Sequence, residues 1–345
     1  MADSEKNKKA AGKAGGKGKS DGGNNQRRVL KEIAPSSWEH PADRAALNAL
    51  RRIPGFDAAV RKLFAMFGER ALRLAFKANA VRTSDNQYGW VHRRLTRVCQ
   101  VLDVEKVPEC YISQTHEVNA GAIGFGEPFI VLNSSLLEIL TEDEMETVLG
   151  HEVGHIASGH VVYRTILFLL LQLMKGRAIL AGIALLPITI GLLEWYRKSE
   201  ISCDRAGLLS VQDPIQSQRA LMKLAGGMRG GELDLDEFVA QAEEYRNNRE
   251  LLDSVYKIFN MLFTTHPFAV IRVAELRDWI DSGAYDAILA GDYDRRGEQP
   301  ERRYIDELRE AGGGYAQGAR EMMRDLDGAI DRLRSRFSEG KSRKS

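Results

Sequence analysis

Apolar residues recur every three or four positions along most of the chain, a spacing that predicts α-helices. Such patterns occupy residues 45–53, 60–67, 90–102, 216–224, 235–245, 251–263 and 270–280. The pattern changes between residues 110 and 133, where three short runs rich in β-branched and aromatic residues are separated by Gly, Pro and polar residues. The runs at 110–113, 118–123 and 129–132 predict a small β-meander. The sequence therefore predicts an α+β fold that is mainly α-helical, with a small β-sheet packed beside the next helix.

The helix after this sheet has the clearest start signal in the chain. Thr141 is followed three residues later by Glu144, which predicts a capping box, in which each side chain binds the backbone N–H of the other residue. Apolar residues then recur at helical spacing from Met145 onward. This helix carries the sequence His-Glu-Val-Gly-His, and because four residues turn a helix by about 400°, His151 and His155 share one face.

Two histidines on one helical face can bind the same metal ion, and Glu152 lies beside them, where a carboxylate can act on a water molecule. The chain has only seven histidines, so a chance H-E-x-x-H motif has odds on the order of one in a hundred. A catalytic zinc ion needs three protein ligands and one open position, so one ligand remains to be found. Position 158 is Ser and position 161 is Val, which excludes the metzincin pattern of Gly and His. His160 lies one residue before the position at which that pattern requires a histidine. It is predicted to lie behind a metal ligand or in the core.

The predicted third ligand is Glu200, which is expected to begin another helix. Asp204 follows four residues later, so both carboxylates lie on one helical face. A carboxylate in the position of Asp204 can accept the ring N–H of a metal-binding histidine and fix its orientation. Alone, the two acids would indicate an exposed pair, but the preceding H-E-x-x-H motif favours a metal site. The predicted cofactor is one catalytic zinc ion, bound by His151, His155 and Glu200.

These residues resemble the HtpX and CAAX-prenyl-protease-like family of gluzincin zinc metallopeptidases. The H-E-x-x-H motif at 151–155 and the E-x-x-x-D motif at 200–204 carry the resemblance. It extends over about residues 85–280, and it implies the gluzincin fold and a peptidase activity.

Two further elements of that family have counterparts in this chain. Its N-A-x-A strand corresponds to residues 119–122, and its H-P…R element corresponds to a segment with His266 and Arg272. The resemblance implies that Asn119 and Ala120 bind the substrate. It also implies that His266 stabilises the oxyanion of the reaction.

We expect the protein to be a zinc metalloendopeptidase that hydrolyses peptide bonds of protein or peptide substrates. In this hypothesis zinc and Glu152 activate the attacking water, and Glu152 and His266 are the catalytic residues. A role in protein quality control near a membrane is part of the same expectation. The alternative is a zinc-stabilised, non-catalytic scaffold that binds polypeptides. Loss of Glu152 or Glu200 would favour the scaffold, and the chain retains both.

Residues 161–196 form a hydrophobic insertion within a metallopeptidase domain that is predicted at 36–283. Its two apolar runs, 165–174 and 178–193, are both shorter than the roughly twenty residues that span a bilayer. A hairpin through the membrane would also carry the two basic residues between the runs to the far side, against the positive-inside rule. Membrane contact, burial in the core and a subunit interface therefore stay open for this segment.

The net charge of the chain is +1, which identifies no partner, but the charge is unevenly placed. Residues 1–28 contain eight basic and three acidic residues, a net of +5 that leaves −4 on the remainder. We predict a disordered basic leader over residues 1–35 and a charged helical C-terminal extension over residues 284–345. The folded sequence lacks a basic face with interleaved aromatic residues, so no nucleic acid partner is expected.

No apolar run follows the basic start, so a secretory signal peptide is not expected. The three cysteines are widely spaced and form no C-x-x-C motif, which predicts neither a disulfide framework nor a cysteine zinc site. We therefore expect a cytoplasmic active site. Whether it associates with the cytoplasmic membrane depends on residues 161–196.

Overall fold

The computed structural model describes residues 27–52, 56, 69–124, 126–175, 186–227, 232–247 and 269–298. In these residues the helices are α1 (Pro41–Arg51), α2 (Glu69–Ala78), α3 (Gly89–Val101), α4 (Ser134–Ile139), α5 (Glu142–Ala157), α6 (Val161–Lys175), α7 (Leu186–Val211), α8 (Pro214–Gly226), α9 (Leu235–Asn247), α10 (Ala269–Asp281) and α11 (Ala284–Ala290). The strands are β1 (Ala80–Arg82), β2 (Glu109–Ser113), β3 (Ala120–Ile123) and β4 (Phe129–Asn133). The prediction of a mainly helical α+β fold is confirmed. The helices predicted at 60–67 and 251–263 lie outside the described residues.

The strands form one mixed sheet in the order β1-β2-β4-β3. β2 and β4 are parallel neighbours at its centre, and β1 and β3 pair antiparallel with them at the edges. The predicted meander is therefore wrong. After β2 the chain forms β3 at the edge of the sheet, and it then returns as β4 between β2 and β3. Burial explains this order, since β2 and β4 are mostly buried and β1 and β3 are not. The sequence pattern does not predict β1, which has three residues of which two are exposed.

Helix α5 lies in the interior of the fold and begins as predicted. The Thr141 hydroxyl accepts the backbone N–H of Glu144, and the Glu144 carboxylate accepts the backbone N–H of Thr141. Every residue from Glu144 to His155 is buried. A helix that is buried on all sides belongs to the interior of a protein, so the H-E-x-x-H motif is enclosed by the rest of the fold.

Small residues allow α5 and α7 to cross at close distance. A Cβ atom on Gly207 of α7 would lie 2.7 Å from the backbone oxygen of Thr147 on α5. A Cβ atom on Gly154 of α5 would lie 2.7 Å from the Cβ of Ala206 on α7. Both distances are shorter than carbon contacts in proteins allow, so only glycine fits these positions without a shift. The close crossing places the two predicted motifs side by side.

The sequence pattern predicts that Glu200 begins a helix, and this prediction is wrong. Glu200 lies within α7 (Leu186–Val211). The end of the hydrophobic insertion and the E-x-x-x-D motif therefore belong to one helix of 26 residues. Pro187 is the second residue of the described part of this helix. No other proline interrupts the helix before its end.

The described part of the hydrophobic insertion packs against α1. Apolar residues of α6, α7 and the N-terminal segment form one buried cluster: Ala46, Leu50, Phe56, Ile166, Leu167, Leu170, Ile188, Leu192, Trp195 and Tyr196. Burial in a core is therefore observed for these residues, while residues 176–185 lie outside the described part. Among the described residues no single helix is both long enough and apolar enough to cross a membrane. Helix α5 with the first part of α6 meets the criteria only as a pair bent by 98°.

Both ends of the described chain pack onto the domain. Leu30 is fully buried in the main core, and the backbone N–H of Ala34 donates to the carbonyl of Asp294 at 2.8 Å. These residues fall within the predicted leader (1–35) and the predicted C-terminal extension (284–345). Apolar contacts and backbone pairing hold them, so we propose that the folded domain extends past both predicted limits.

Candidate metal centre

Three side chains from α5 and α7 converge in the interior of the fold. The Nε2 atom of His155 lies 3.1 Å from His151 Nε2 and 3.2 Å from Glu200 Oε1. The Nε2 atom of His151 lies 3.4 Å from Glu200 Oε2. Tetrahedral zinc bonds of about 2.0–2.1 Å separate ligand atoms by about 3.3 Å, so these spacings fit one shared ion.

The outer partners of the two imidazoles direct their Nε2 lone pairs into this triangle. His151 Nδ1 lies 3.0 Å from Asp204 Oδ1, an acceptor, so the ring proton of His151 lies on Nδ1. His155 Nδ1 lies 3.2 Å from His160 Nδ1, and His160 Nε2 lies 3.1 Å from Asp43 Oδ2. Because Asp43 accepts the Nε2 proton, His160 Nδ1 is an acceptor and the proton of His155 also lies on Nδ1. Both Nε2 atoms then face the Glu200 carboxylate, where a proton or a metal ion is needed to offset the repulsion between the lone pairs.

The pKa values of the two histidines reflect the same crowding. Burial alone would lower the pKa of His151, but the carboxylates of Glu200 and Asp204 raise it to about 9. Burial and the nearby Arg164 guanidinium lower the pKa of His155 well below its ordinary value. A single proton on His151 thus balances the carboxylates, and a metal ion that binds here must displace that proton.

Asp204 is itself held by a buried arginine on α10. Arg272 donates from Nε to Asp204 Oδ2 at 2.7 Å and also donates from a terminal nitrogen to Oδ1. Burial would raise the pKa of Asp204, but Arg272 and His151 hold it below its ordinary value. The ionised carboxylate can accept the ring N–H of His151, which is the placement predicted from the E-x-x-x-D spacing.

Glu152 lies next to the triangle and faces β3. Its Oε2 atom accepts the backbone N–H of Ala122 at 2.7 Å and a guanidinium N–H of Arg164 at 3.0 Å. Arg164 is not predicted from the sequence, although it is the only charged residue of α6 before Lys175. The two donors come from different elements, so they fix the orientation of the Glu152 carboxylate.

Asn119 and Ala120 lie at the start of the edge strand β3. Together with His151 and Glu152 they line a cavity of about 320 Å³ that opens onto the triangle. They also line a second cavity of about 450 Å³, whose far wall includes Phe168 of α6. The two residues predicted to bind substrate therefore stand where two cavities meet beside a strand edge.

The structure brings together every predicted site residue that it describes: Asn119, Ala120, His151, Glu152, His155, Glu200 and Asp204. His266, the predicted oxyanion-stabilising residue, lies outside the described residues, and its role stays a prediction. Arg272, from the same sequence element, does reach the site through Asp204.

The sequence of the chain matches that of a known peptidase family over the region that contains this site. The model of a family described as peptidase family M48 matches residues 85–280, which is more than half of the chain. The chain belongs to peptidase family M48. The resemblance drawn from the two motifs is confirmed, and so is the prediction of a metalloprotease.

Several relatives of this M48 peptidase carry protease names. The chain is 32% identical over 268 residues to the plastoglobule-localized metallopeptidase 48, chloroplastic, of Arabidopsis thaliana, covering 76% of the chain and 77% of that protein. It is 25% identical over 215 residues to metalloprotease YcaL of Escherichia coli strain K12, covering 59% and 75%. It is 27% identical over 135 residues to protease HtpX homolog 2 of Saccharolobus solfataricus, covering 38% and 36%. No solved structure matches the chain.

A metallopeptidase needs a metal ion and acts on proteins or peptides. This M48 peptidase is therefore an enzyme that needs a metal ion and a protein or peptide substrate. Two groups of its described residues could hold an ion: His151, His155 and Glu200, or His155, His160 and Cys203. Members of the first group line the 320 Å³ cavity beside Glu152, where a substrate can reach an ion. The second group lies behind His155, on the side away from that cavity.

Proposed function

We propose that the protein is a zinc metalloendopeptidase whose ion is held by His151, His155 and Glu200. The convergence of two imidazole nitrogens and the Glu200 carboxylate at the spacing of zinc ligands supports this most strongly. Two imidazoles and one carboxylate, with a fourth position open to a cavity, are the donor set of catalytic zinc sites. When bound, zinc supplies a Lewis acid that polarises the scissile carbonyl and lowers the pKa of water.

Glu152 is proposed to act as the general base. The two donors that the described residues supply, Ala122 and Arg164, both bind Oε2, and Oε1 is proposed to accept a proton from the attacking water. Glu152 then passes this proton to the leaving amine. Ala122 and Arg164 hold the carboxylate in place during both transfers. His266 is proposed, from the family resemblance, to stabilise the oxyanion.

The substrate is proposed to be an extended polypeptide that lies along β3 at Asn119 and Ala120. A strand at the edge of a sheet can pair with such a chain through backbone hydrogen bonds, which read little of its sequence. The apolar walls of the 450 Å³ cavity, which include Phe168 and Leu193, would then accept an apolar side chain. Loose sequence preference with some apolar selectivity is the expected outcome.

Membership of a peptidase family and the retained Glu152 favour catalysis over the alternative of a non-catalytic zinc scaffold. We further propose that the enzyme serves protein quality control near the cytoplasmic membrane, with its active site on the cytoplasmic side. The family resemblance supports this role, as does the apolar surface of α6, where Phe168 is 40% exposed.

Metal removal tests the proposed activity. Purified protein is expected to hydrolyse casein, to stop doing so after treatment with the chelator 1,10-phenanthroline, and to recover when zinc is added back. The isomer 1,7-phenanthroline, which does not chelate, is the matched control and should leave hydrolysis unchanged. Casein hydrolysis by protein shown to be free of metal would contradict the proposal.

A further inference from the structure

A second buried cluster lies behind the metal ligands and joins α1 to α5. It consists of Asp43 on α1, His160 after α5, and Cys203 on α7. His160 is 2% exposed and Asp43 is 1% exposed. These residues are neither the proposed zinc ligands nor the general base, so their ordered burial needs a separate explanation.

Asp43 is fixed by donors on two other parts of the fold. Its Oδ1 atom accepts the indole N–H of Trp195 at 2.9 Å, and its Oδ2 atom accepts the Ser202 hydroxyl at 2.7 Å. The same Oδ2 atom lies 3.1 Å from His160 Nε2. A buried carboxylate that accepts from three donors has a defined position, and it fixes the ring orientation and the tautomer of His160 in turn.

The chain of hydrogen bonds ends at a metal ligand. With its proton on Nε2, His160 presents Nδ1 as an acceptor, 3.2 Å from Nδ1 of His155. His155 therefore donates from Nδ1 and directs the Nε2 lone pair to the triangle with His151 and Glu200. A metal-binding histidine commonly donates its second ring N–H to an outer acceptor, and removal of that acceptor weakens metal binding.

We propose that Asp43 and His160 are positioning residues that hold His155 as a metal ligand. The inference rests on the proposed zinc site. It makes the N-terminal helix α1 part of the support of the metal centre. The two ligands from α5 are then oriented by different relays: His151 by Asp204 and Arg272, and His155 by His160 and Asp43.

The zinc affinity of His160 variants tests this role. In His160→Leu, which removes the acceptor, the zinc dissociation constant measured by competition with a chromophoric chelator is expected to rise by about 10–100-fold. In His160→Asn the side-chain oxygen can take the place of Nδ1, so the dissociation constant should stay within about threefold of wild type. Cobalt-substituted protein should show an altered visible spectrum for Leu and a nearly native spectrum for Asn.

Cys203→Ala is the matched control, because the Cys203 thiol contacts His160 Nδ1 at 3.6 Å but neither accepts the Nε2 proton of His160 nor contacts His155 Nδ1 in the relay. It should bind one zinc ion per chain with the affinity of wild type. Two ions per wild-type chain, with one lost in Cys203→Ala, would overturn the relay in favour of a second site at His155, His160 and Cys203. If His160→Leu does not fold, Asp43→Leu, which removes the acceptor of the His160 Nε2 proton, should give the same loss of affinity.

Unchanged zinc affinity in a folded His160→Leu or Asp43→Leu variant, with only the thermal stability of the metal-free protein reduced, would reduce the cluster to a structural role and overturn the inference. This outcome leaves the proposed function intact. Failure of wild type to bind zinc at all would instead contradict the proposed function, so the two failures are distinguishable.

Discussion

Replacing Glu152 by Gln is expected to lower kcat/KM for casein by about 10²–10⁴-fold while the zinc content stays at one ion per chain. Glutamine has the same shape, and its amide oxygen can still accept from Ala122 and Arg164. It cannot take a proton from water, so the chemical step is lost and the site remains assembled. The measurement is hydrolysis of casein beside metal analysis of the same preparation.

Glu142→Gln provides a matched control at the exposed start of the same helix. The Glu142 side chain is 56% exposed and pairs with Arg94, so its replacement should change neither hydrolysis nor zinc content. Hydrolysis at the wild-type rate by Glu152→Gln would rule out Glu152 as the general base. Loss of zinc in that variant would show instead that Glu152 supports the ion.

Replacing Arg272 by Met is expected to destabilise the protein by about 3–5 kcal/mol, measured by urea denaturation in the presence of a chelator. The large effect arises because the substitution leaves the Asp204 carboxylate buried without the guanidinium that holds its pKa down. Chelation removes the contribution of the metal ion to stability. The difference in the free energy of unfolding between the variant and wild type therefore reports the loss of the Arg272–Asp204 ion pair. A double variant in which Asp204 is also replaced by Leu should recover part of the lost stability, since the Asp204 charge is then gone, while Glu200, 3.7 Å from Arg272, still loses one partner.

Arg277→Met on the same helix separates this effect from a general cost of removing arginine. Arg277 pairs with Glu243, whose side chain is 52% exposed, and such pairs contribute at most about 1 kcal/mol. A loss below about 1 kcal/mol in Arg272→Met would contradict the account of a buried pair that supports the metal site.

The features that could be predicted from the sequence are those fixed by neighbours along the chain. The cap of α5 depends on Thr141 and Glu144, and the shared face of His151 and His155 depends on helix geometry alone. Both are local, so a single sequence contains the needed information. The same holds for the four-residue spacing from Glu200 to Asp204.

The features that could not be predicted depend on contacts between distant segments. The pairing of β2 with β4 in parallel places β3 at the edge, although all three strands are close in sequence. The sequence pattern predicts that Glu200 begins a helix, because polar and basic residues close the apolar run before it, whereas α7 continues through both segments. Asp43 and Arg164 acquire their roles only when α1 and α6 pack beside the motif helix.

The atoms that bind the ion test the central claim most directly, and zinc K-edge X-ray absorption of the purified protein measures them. We expect one zinc ion per chain with nitrogen and oxygen neighbours at about 2.0–2.1 Å, two of them from the imidazoles of His151 and His155. Replacement of Glu200 by Ala should remove the ion or alter this shell. A sulfur neighbour at about 2.3 Å would place the ion at Cys203, behind His155, and would contradict the proposed metal centre.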